Sequence, residues 1–339
     1  ISLIIYIIHP LMIVVVRLFS KLVHMQDLLI ENSLIHYIVV CFISVVFAIF
    51  MTALWRRLKP EQAKHIVATE RAYLEIDLNN LEHNVSVLKK AIPKDCELMA
   101  VVKAEAYGHG TYEIATHINK IGVKAFAVAT IDEGITLRKY GITGEILILG
   151  YTAPERAKEL CKYNLIQTLI DYEYSIRLNN QGYKVNAHIK IDTGMHRLGF
   201  DKEDVESIAT VFSLKNIKVC GIYTHLCASD SIDEKDVSFT NMQIESFYKL
   251  LRLIKEKGIA IPKIHIQSSY GFLNYPELKC NYVRTGVALY GVLSSPNDKV
   301  KLQLDLRPVL SLKARVILLR QIKTGDCVGY SRSFVADRD

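Results

Sequence analysis

No two cysteines of this 339-residue chain are spaced Cys-x-x-Cys. Its seven cysteines (Cys41, Cys96, Cys161, Cys220, Cys227, Cys280, Cys327) are odd in number and scattered, which argues against a disulfide framework and a thiolate metal site and for reduced thiols. His-Glu-x-x-His is absent, and so is a Gly-x-x-x-x-Gly-Lys loop, so neither a zinc-protease helix nor a nucleotide-phosphate loop is expected, and no metal. The formal charge is +7, yet no basic stripe is interleaved with aromatics as nucleic-acid binding requires, so no nucleic-acid partner is expected. The first apolar run lacks a positive leading region and a small-residue cleavage site, unlike a signal peptide. The chain starts at Ile1 and has no methionine after Met242; truncation at both ends is the expectation.

Charge is also missing locally. Residues 1–16 carry none, and Ser33–Trp55 is a second uncharged run of more than 20 residues, enough to cross a hydrocarbon layer as a helix. Two membrane helices are therefore expected within 1–56, with 57–72 as a linker; two buried core helices are the alternative. Arg56, Arg57, Lys59 and Lys64 follow the second run, whereas Arg17 and Lys21 are offset by Asp27 and Glu31 between the runs. The positive-inside bias then puts everything after Trp55 in the cytoplasm, on a multi-pass cell-membrane protein.

From Tyr73 the pattern alternates short Val/Ile/Ala-rich runs with amphipathic stretches, the rhythm of βα units on a parallel sheet. Eight strands are expected near 98–103, 125–130, 145–149, 166–170, 186–191, 218–224, 263–267 and 281–284, with helices such as 153–163 and 236–257 between them. Eight units suit a (β/α)₈ barrel over 73–293, and an open doubly wound sheet is the alternative. Past Gly291 the turn-rich Ser294-Ser-Pro-Asn297 leads to a long alternating strand over Leu310–Arg320. Residues 294–339 therefore read as the beginning of a truncated β-rich domain.

The most informative stretch is Ala100-Val-Val-Lys-Ala-Glu-Ala-Tyr-Gly-His-Gly110. It places Lys103 at the C-terminal end of a buried strand, where barrel active sites are built. A desolvated lysine there can lose its proton and condense with an aldehyde; a solvated charge is the plainer alternative. His109 and Glu105 read as loop residues.

This stretch resembles the cofactor-lysine signature of the alanine racemase family, whose usual form has Asn where this chain has Glu105. His188-Ile-Lys-Ile-Asp-Thr-Gly-Met-His-Arg-Leu-Gly199, Gly221-Ile-Tyr-Thr-His225, Tyr282-Val-Arg-Thr-Gly-Val-Ala-Leu-Tyr-Gly291 and Gly325-Asp-Cys-Val-Gly-Tyr330 resemble further segments in that family's order. The matches span roughly residues 70–339. With membrane helices in front, the resemblance narrows to the membrane-bound serine/alanine racemases of vancomycin-resistance clusters, whose acyltransferase-like membrane domain would be represented here by its tail.

The resemblance implies a pyridoxal 5'-phosphate enzyme that racemises L-serine or L-alanine, supplying D-residues for cell-wall precursors. Lys103 would hold the cofactor and serve as one base, and Tyr330, reaching into a partner's barrel in a homodimer, would be the opposing base. A free phenol near pKa 10 needs cationic neighbours for that task, a part implied for His225 and Arg284. Arg284 would also face the pyridine nitrogen with no proton to give up. Arg197 would meet the substrate carboxylate, while Tyr107, Ser268, Gly286 and Val287 would bind the phosphate. Gln267-Ser-Ser-Tyr270 departs from the family's more usual Asn-Ser-Ala and leaves Ser269 as a rival to Ser268. Lys190 matches a lysine that some members carry as a carbamate, a plain salt-bridging lysine being the alternative. His196 stands where glycine is commoner. The family's methionine–aspartate substrate segment is missing, so weak activity or none is expected of the chain alone. Two other readings stay open: a non-catalytic cofactor-binding barrel, and a membrane function, acyl transfer or transport, in the N-terminal half.

Overall fold

The computed structural model describes residues 13, 16, 39–47, 70–295 and 297–339. Two compact units emerge, Leu74–Ala314 and Ile1–Tyr73 with Arg315–Asp339. The larger is built on eight parallel strands: β1 (Glu97–Val101), β2 (Ala125–Val128), β3 (Glu145–Ile148), β4 (Ile166–Leu169), β5 (Val185–Asp192), β6 (Ile217–Tyr223), β7 (Lys263–His265) and β8 (Tyr282–Thr285). They are hydrogen-bonded in the order β8-β1-β2-β3-β4-β5-β6-β7. The amide of Asn281 donates to the Ile264 carbonyl at 2.7 Å and that of Arg284 to the Gln267 carbonyl at 3.1 Å. These bonds draw the last two strands together and nearly close the ring, so the barrel displaces the open sheet.

Strands β2 to β4 and β8 are short and largely buried on both faces, as parallel strands wrapped by helices tend to be, whereas β5 to β7 carry polar residues among their apolar ones. Side chains alternate across the sheet. Leu98 and Ala100 of β1 join the large cluster beneath the helices, while Met99 and Val101 point into the barrel with Ala125, Ala127, Leu147, Ile166 and Tyr282. The intervening helices have clear start signals. Asp77 accepts bonds from the Asn79 and Asn80 amides ahead of Leu78–Ala91, and Thr130 with Glu133 forms a reciprocal capping box ahead of Ile131–Lys139.

The expected run Leu310–Arg320 is strand only over Leu310–Ala314, in a two-stranded sheet with Ala72–Ile76. A strand extends only as far as a partner satisfies its backbone, and the partner is five residues long. In the smaller unit, Val16 and Val40 are buried against each other and 39–47 is helical. Among the described residues no helix is long and apolar enough to cross a membrane. Apart from 13, 16 and 39–47, the uncharged runs expected to do so lie outside the described residues.

Candidate active site

Lys103 follows β1 after Val102 and opens an unusual turn. Ala104, Glu105, Ala106 and Tyr107 all lie in the left-handed region, with φ between 52° and 54°. Left-handed helical backbone costs roughly 1–2 kcal/mol per non-glycine residue, so four in succession need outside support. The Ala104 amide donates to Glu133 Oε1 at 2.8 Å. The Gly108 and Gly110 amides donate to the Glu105 carbonyl at 3.0 Å, and Ala106 is fully buried. Glu133 thus ties this turn to the next helix start, since its other oxygen accepts from the Ala129 amide at 2.7 Å. The turn brings Tyr107 to the end of the neighbouring strand β8. A Cβ on Gly286 would lie 2.7 Å from the Tyr107 hydroxyl, so only glycine lets the phenol approach.

Beside it, β7 and β8 end in a polar cup, β8 being the strand hydrogen-bonded to β1. Ser269 is buried, and its Oγ accepts from the amides of Gly286 at 3.0 Å and Ala288 at 3.2 Å. Ser268 instead accepts from the Gly271 amide at 3.4 Å, at the start of helix Ser269–Asn274. Both serines border the cavity, but the hydroxyl that meets Gly286 belongs to the rival, Ser269.

Arg284, 4 % exposed, sits inside the barrel with no acidic partner among the described residues. Its Nη2 donates to the carbonyls of Thr224 at 2.8 Å and Ile266 at 2.9 Å and to His225 Nδ1 at 3.3 Å, and Nη1 donates to His265 Nδ1 at 2.7 Å. An arginine can only donate, so His265 accepts at Nδ1 and carries its proton on Nε2, which donates to His188 Nδ1 at 2.9 Å. His188 fits because β6 has Gly221 opposite; a Cβ there would come within 2.5 Å of the imidazole. Burial pushes His188 down to about 4 and His225 down to about 3, with Arg284 next in importance for His225. Burial and then Arg284 hold His265 well below the usual histidine range. Burial lowers Arg284 only to about 10, so the cluster at neutral pH is one charged guanidinium among neutral imidazoles.

Lys190, on β5, is pushed down to about 8 by burial and then by Arg197. Arg197 follows a turn pinned by Asp192, whose Oδ1 accepts from the Gly194 and His196 amides at 3.0 Å. His196 adopts φ 54° there, the conformation that makes glycine the easier residue, and its Nδ1 lies 3.2 Å from Asp192 Oδ2.

Lys103, Tyr107, Arg197, His225, Ser268, Arg284, Gly286 and Val287 line one cavity of about 410 Å³, with Lys190 and Ser269. A larger hollow of about 780 Å³ lies against helix Glu234–Glu256 and is lined by none of the candidate site residues, so the chemistry belongs to the smaller one at the strand ends. Tyr330 belongs to the other compact unit. It opens the turn Tyr330–Arg332 between the paired strands Cys327–Val328 and Phe334–Val335, and its side chain is 98 % exposed. Among the described residues no cluster of His, Cys, Asp and Glu could hold a metal ion, and all seven thiols are free.

Sequence reasoning assigned no part to His188 or His265. The available signal was period-2 spacing: His188 and Lys190 share one face of β5, while Val185, Ala187, Ile189 and Ile191 make the other face apolar.

A lysine at the rim of a parallel barrel, a hydroxyl-and-amide cup at the end of the neighbouring strand and a buried arginine held by histidines and carbonyls define a barrel for an aldehyde-bearing phosphorylated cofactor. The model for the alanine racemase N-terminal domain matches residues 76–294, and the chain belongs to the alanine racemase family. It is similar to an amino-acid racemase of Enterococcus faecalis, 63 % identical over 320 residues, covering 94 % of this chain and 45 % of that protein. It is also similar to a serine/alanine racemase of Enterococcus gallinarum, 37 % identical over 340 residues, covering 100 % of this chain and 47 % of that protein. The chain thus spans slightly under half the length of these curated relatives. Among solved structures, alanine racemase from E. faecalis superposes with a TM-score of 0.71 at 31 % identity, over 81 % of this chain and 74 % of that one.

The family depends on pyridoxal 5'-phosphate, and the residues present fit it. Lys103 offers the amine, the Gly286 side of the cup is open only because a Cβ is missing, and Arg284 presents a charge that no carboxylate neutralises.

Proposed function

We propose that the protein racemises a small amino acid, serine or alanine, with Lys103 and Tyr330 as bases on opposite faces of the substrate α-carbon. The observation that carries this reading is the buried Arg284, aimed from among neutral histidines into the cavity that Lys103 borders. When bound, pyridoxal phosphate withdraws electrons from the substrate and acidifies its α-hydrogen. The residues do the rest. The Tyr107 and Ser269 hydroxyls would hold the phosphate, with Gly286 leaving room for it and Ser268 and Val287 at the edge of the cup. Arg284 would serve the cofactor's ring nitrogen and, having no proton to give at neutral pH, would not protonate it, which would favour return of the proton to the α-carbon over transamination. Arg197 holds the substrate carboxylate as a planar donor. The Lys103 amine takes or returns the proton on one face, and the phenolic oxygen of Tyr330, supplied by a second copy in a homodimer, acts on the other.

The proposal extends to context. The uncharged runs at 1–16 and Ser33–Trp55 support a membrane anchor, and the cations after Trp55 support a cytoplasmic barrel. The similarity to a serine/alanine racemase supports a supply of D-residues to cell-wall precursors and a part in glycopeptide resistance. The test is exchange in deuterium oxide. The protein is incubated with L-serine or L-alanine, and the products are separated by chirality. The expected product is the D-enantiomer with deuterium at Cα. Deuterium in a residue that stays wholly L would contradict two opposed bases.

A further inference from the structure

Helix Ser269–Asn274 is stitched along its whole length to the segment that leaves the barrel. Ser269 Oγ holds the Gly286 and Ala288 amides. The next residue, Tyr270, is 7 % exposed; its hydroxyl donates to Asp298 Oδ2 and accepts from the Ser294 amide at 2.6 Å. Asp298 Oδ2 also accepts from the Ser295 amide at 2.9 Å. Further on, the Leu302 amide donates to the Leu273 carbonyl at 2.8 Å, and the Lys301 amide donates to Asn274 Oδ1 at 3.0 Å.

With Ser269 as the serine that meets Gly286, Tyr270 stands where the family's more usual Asn-Ser-Ala has alanine. A methyl group can make neither bond that the phenol makes. The clasp acts on the residue beside the cup, because moving Tyr270 moves the backbone that sets Ser269 Oγ, and a hydrogen bond weakens steeply once its geometry is off.

We propose that Tyr270 is a positioning residue for the cofactor's phosphate: clasped by Asp298 and the Ser294 amide, it holds Ser269 and the Gly286 and Ala288 amides in register as one rigid cup. This rests on the reading of that cup as a phosphate site. Removing the phenol leaves the fold and the ring-facing groups in place and loosens only the grip on phosphate.

The test compares pyridoxal 5'-phosphate with pyridoxal, which lacks the phosphate, by equilibrium dialysis against the full chain and its variants. Tyr270→Phe keeps the ring and is expected to raise the Kd for pyridoxal phosphate about 3- to 10-fold, while the Kd for pyridoxal stays within about twofold. Asp298→Ala should match it, Asp298→Asn should restore most of the affinity because the amide oxygen still accepts, and the Tyr270→Phe/Asp298→Ala pair should be no worse than either alone. An equal rise for both ligands, or no rise, overturns the clasp. Ser269→Ala separates the two ideas. If it keeps the full preference for the phosphorylated ligand, the phosphate reading fails; if it loses that preference while Tyr270→Phe does not, only the clasp fails.

Discussion

The two halves of the barrel interior are built from opposite materials. Strands β1 to β4 send in Met99, Val101, Ala125, Ala127, Leu147 and Ile166. From β5 to β8 come His188, Lys190, Tyr223, His265 and Arg284, all buried. The first half stabilises through apolar area removed from water, about 25 cal/mol per Å². The second buries groups that cost free energy unless each is partnered. It meets that condition by giving up charge: three imidazoles stay neutral beside one guanidinium, and the Tyr223 hydroxyl bonds Thr168 Oγ1 at 3.0 Å. Such a barrel keeps its shape on one side and spends specificity on the other.

The contrast can be broken most severely at its rim. Lys103→Ala should lower racemisation by 1,000-fold or more, on the order expected for a residue that both anchors cofactor and moves a proton, with little change in melting temperature; steady-state kinetics beside thermal melts check this. In the apolar half, Leu147→Ala should cost about 2–5 kcal/mol of stability while cofactor affinity is retained, as a urea titration with and without pyridoxal phosphate would show. A larger loss of affinity than of stability would mean the halves are not separate.

The polar half should answer to pH. The folded pKa values of His188 and His225 lie below the ordinary value of 6.5, at about 4 and about 3. The unfolded chain therefore takes up protons first as pH falls from 6.5 to about 4, and stability falls with pH across that window. For His188 alone the effect is roughly 3 kcal/mol, and below about 4 its share levels off. Urea midpoints between pH 7 and 4.5 should show this slope, reduced in His188→Leu; an unchanged slope would place the acid sensitivity elsewhere. The smallest effect should come from Gly221→Ala, whose new methyl would press on the His188 ring at a cost of about 1–3 kcal/mol, read as a modest fall in melting temperature.

Much of this was legible in the residues themselves. The eight strands stand out because parallel strands buried on both faces are continuous apolar runs, and helices with charged faces separate them. Ring closure was not legible, since the pairing of β8 with β1 joins residues far apart in sequence. The turn after Lys103 was hidden for another reason: Ala104, Glu105 and Ala106 are good right-handed helix formers, and only Glu133 and the glycines beyond reveal why they turn left. Ser268 and Ser269 are neighbours with the same chemistry, so the choice rests on which hydroxyl faces Gly286. The pairing of His188 with His265 joins two strands that are not adjacent in the ring, which no local pattern encodes.

The central claim is that Lys103, and no other lysine, receives the aldehyde. Lys190 is the informative rival, because it borders the same cavity and its ammonium is the one lowered to about 8. Borohydride reduction of the pyridoxal-phosphate-loaded protein, followed by peptide mass mapping, should place the label on the peptide carrying Lys103 and leave Lys190 unmodified. Label on Lys190, or undiminished label in Lys103→Ala, would contradict it.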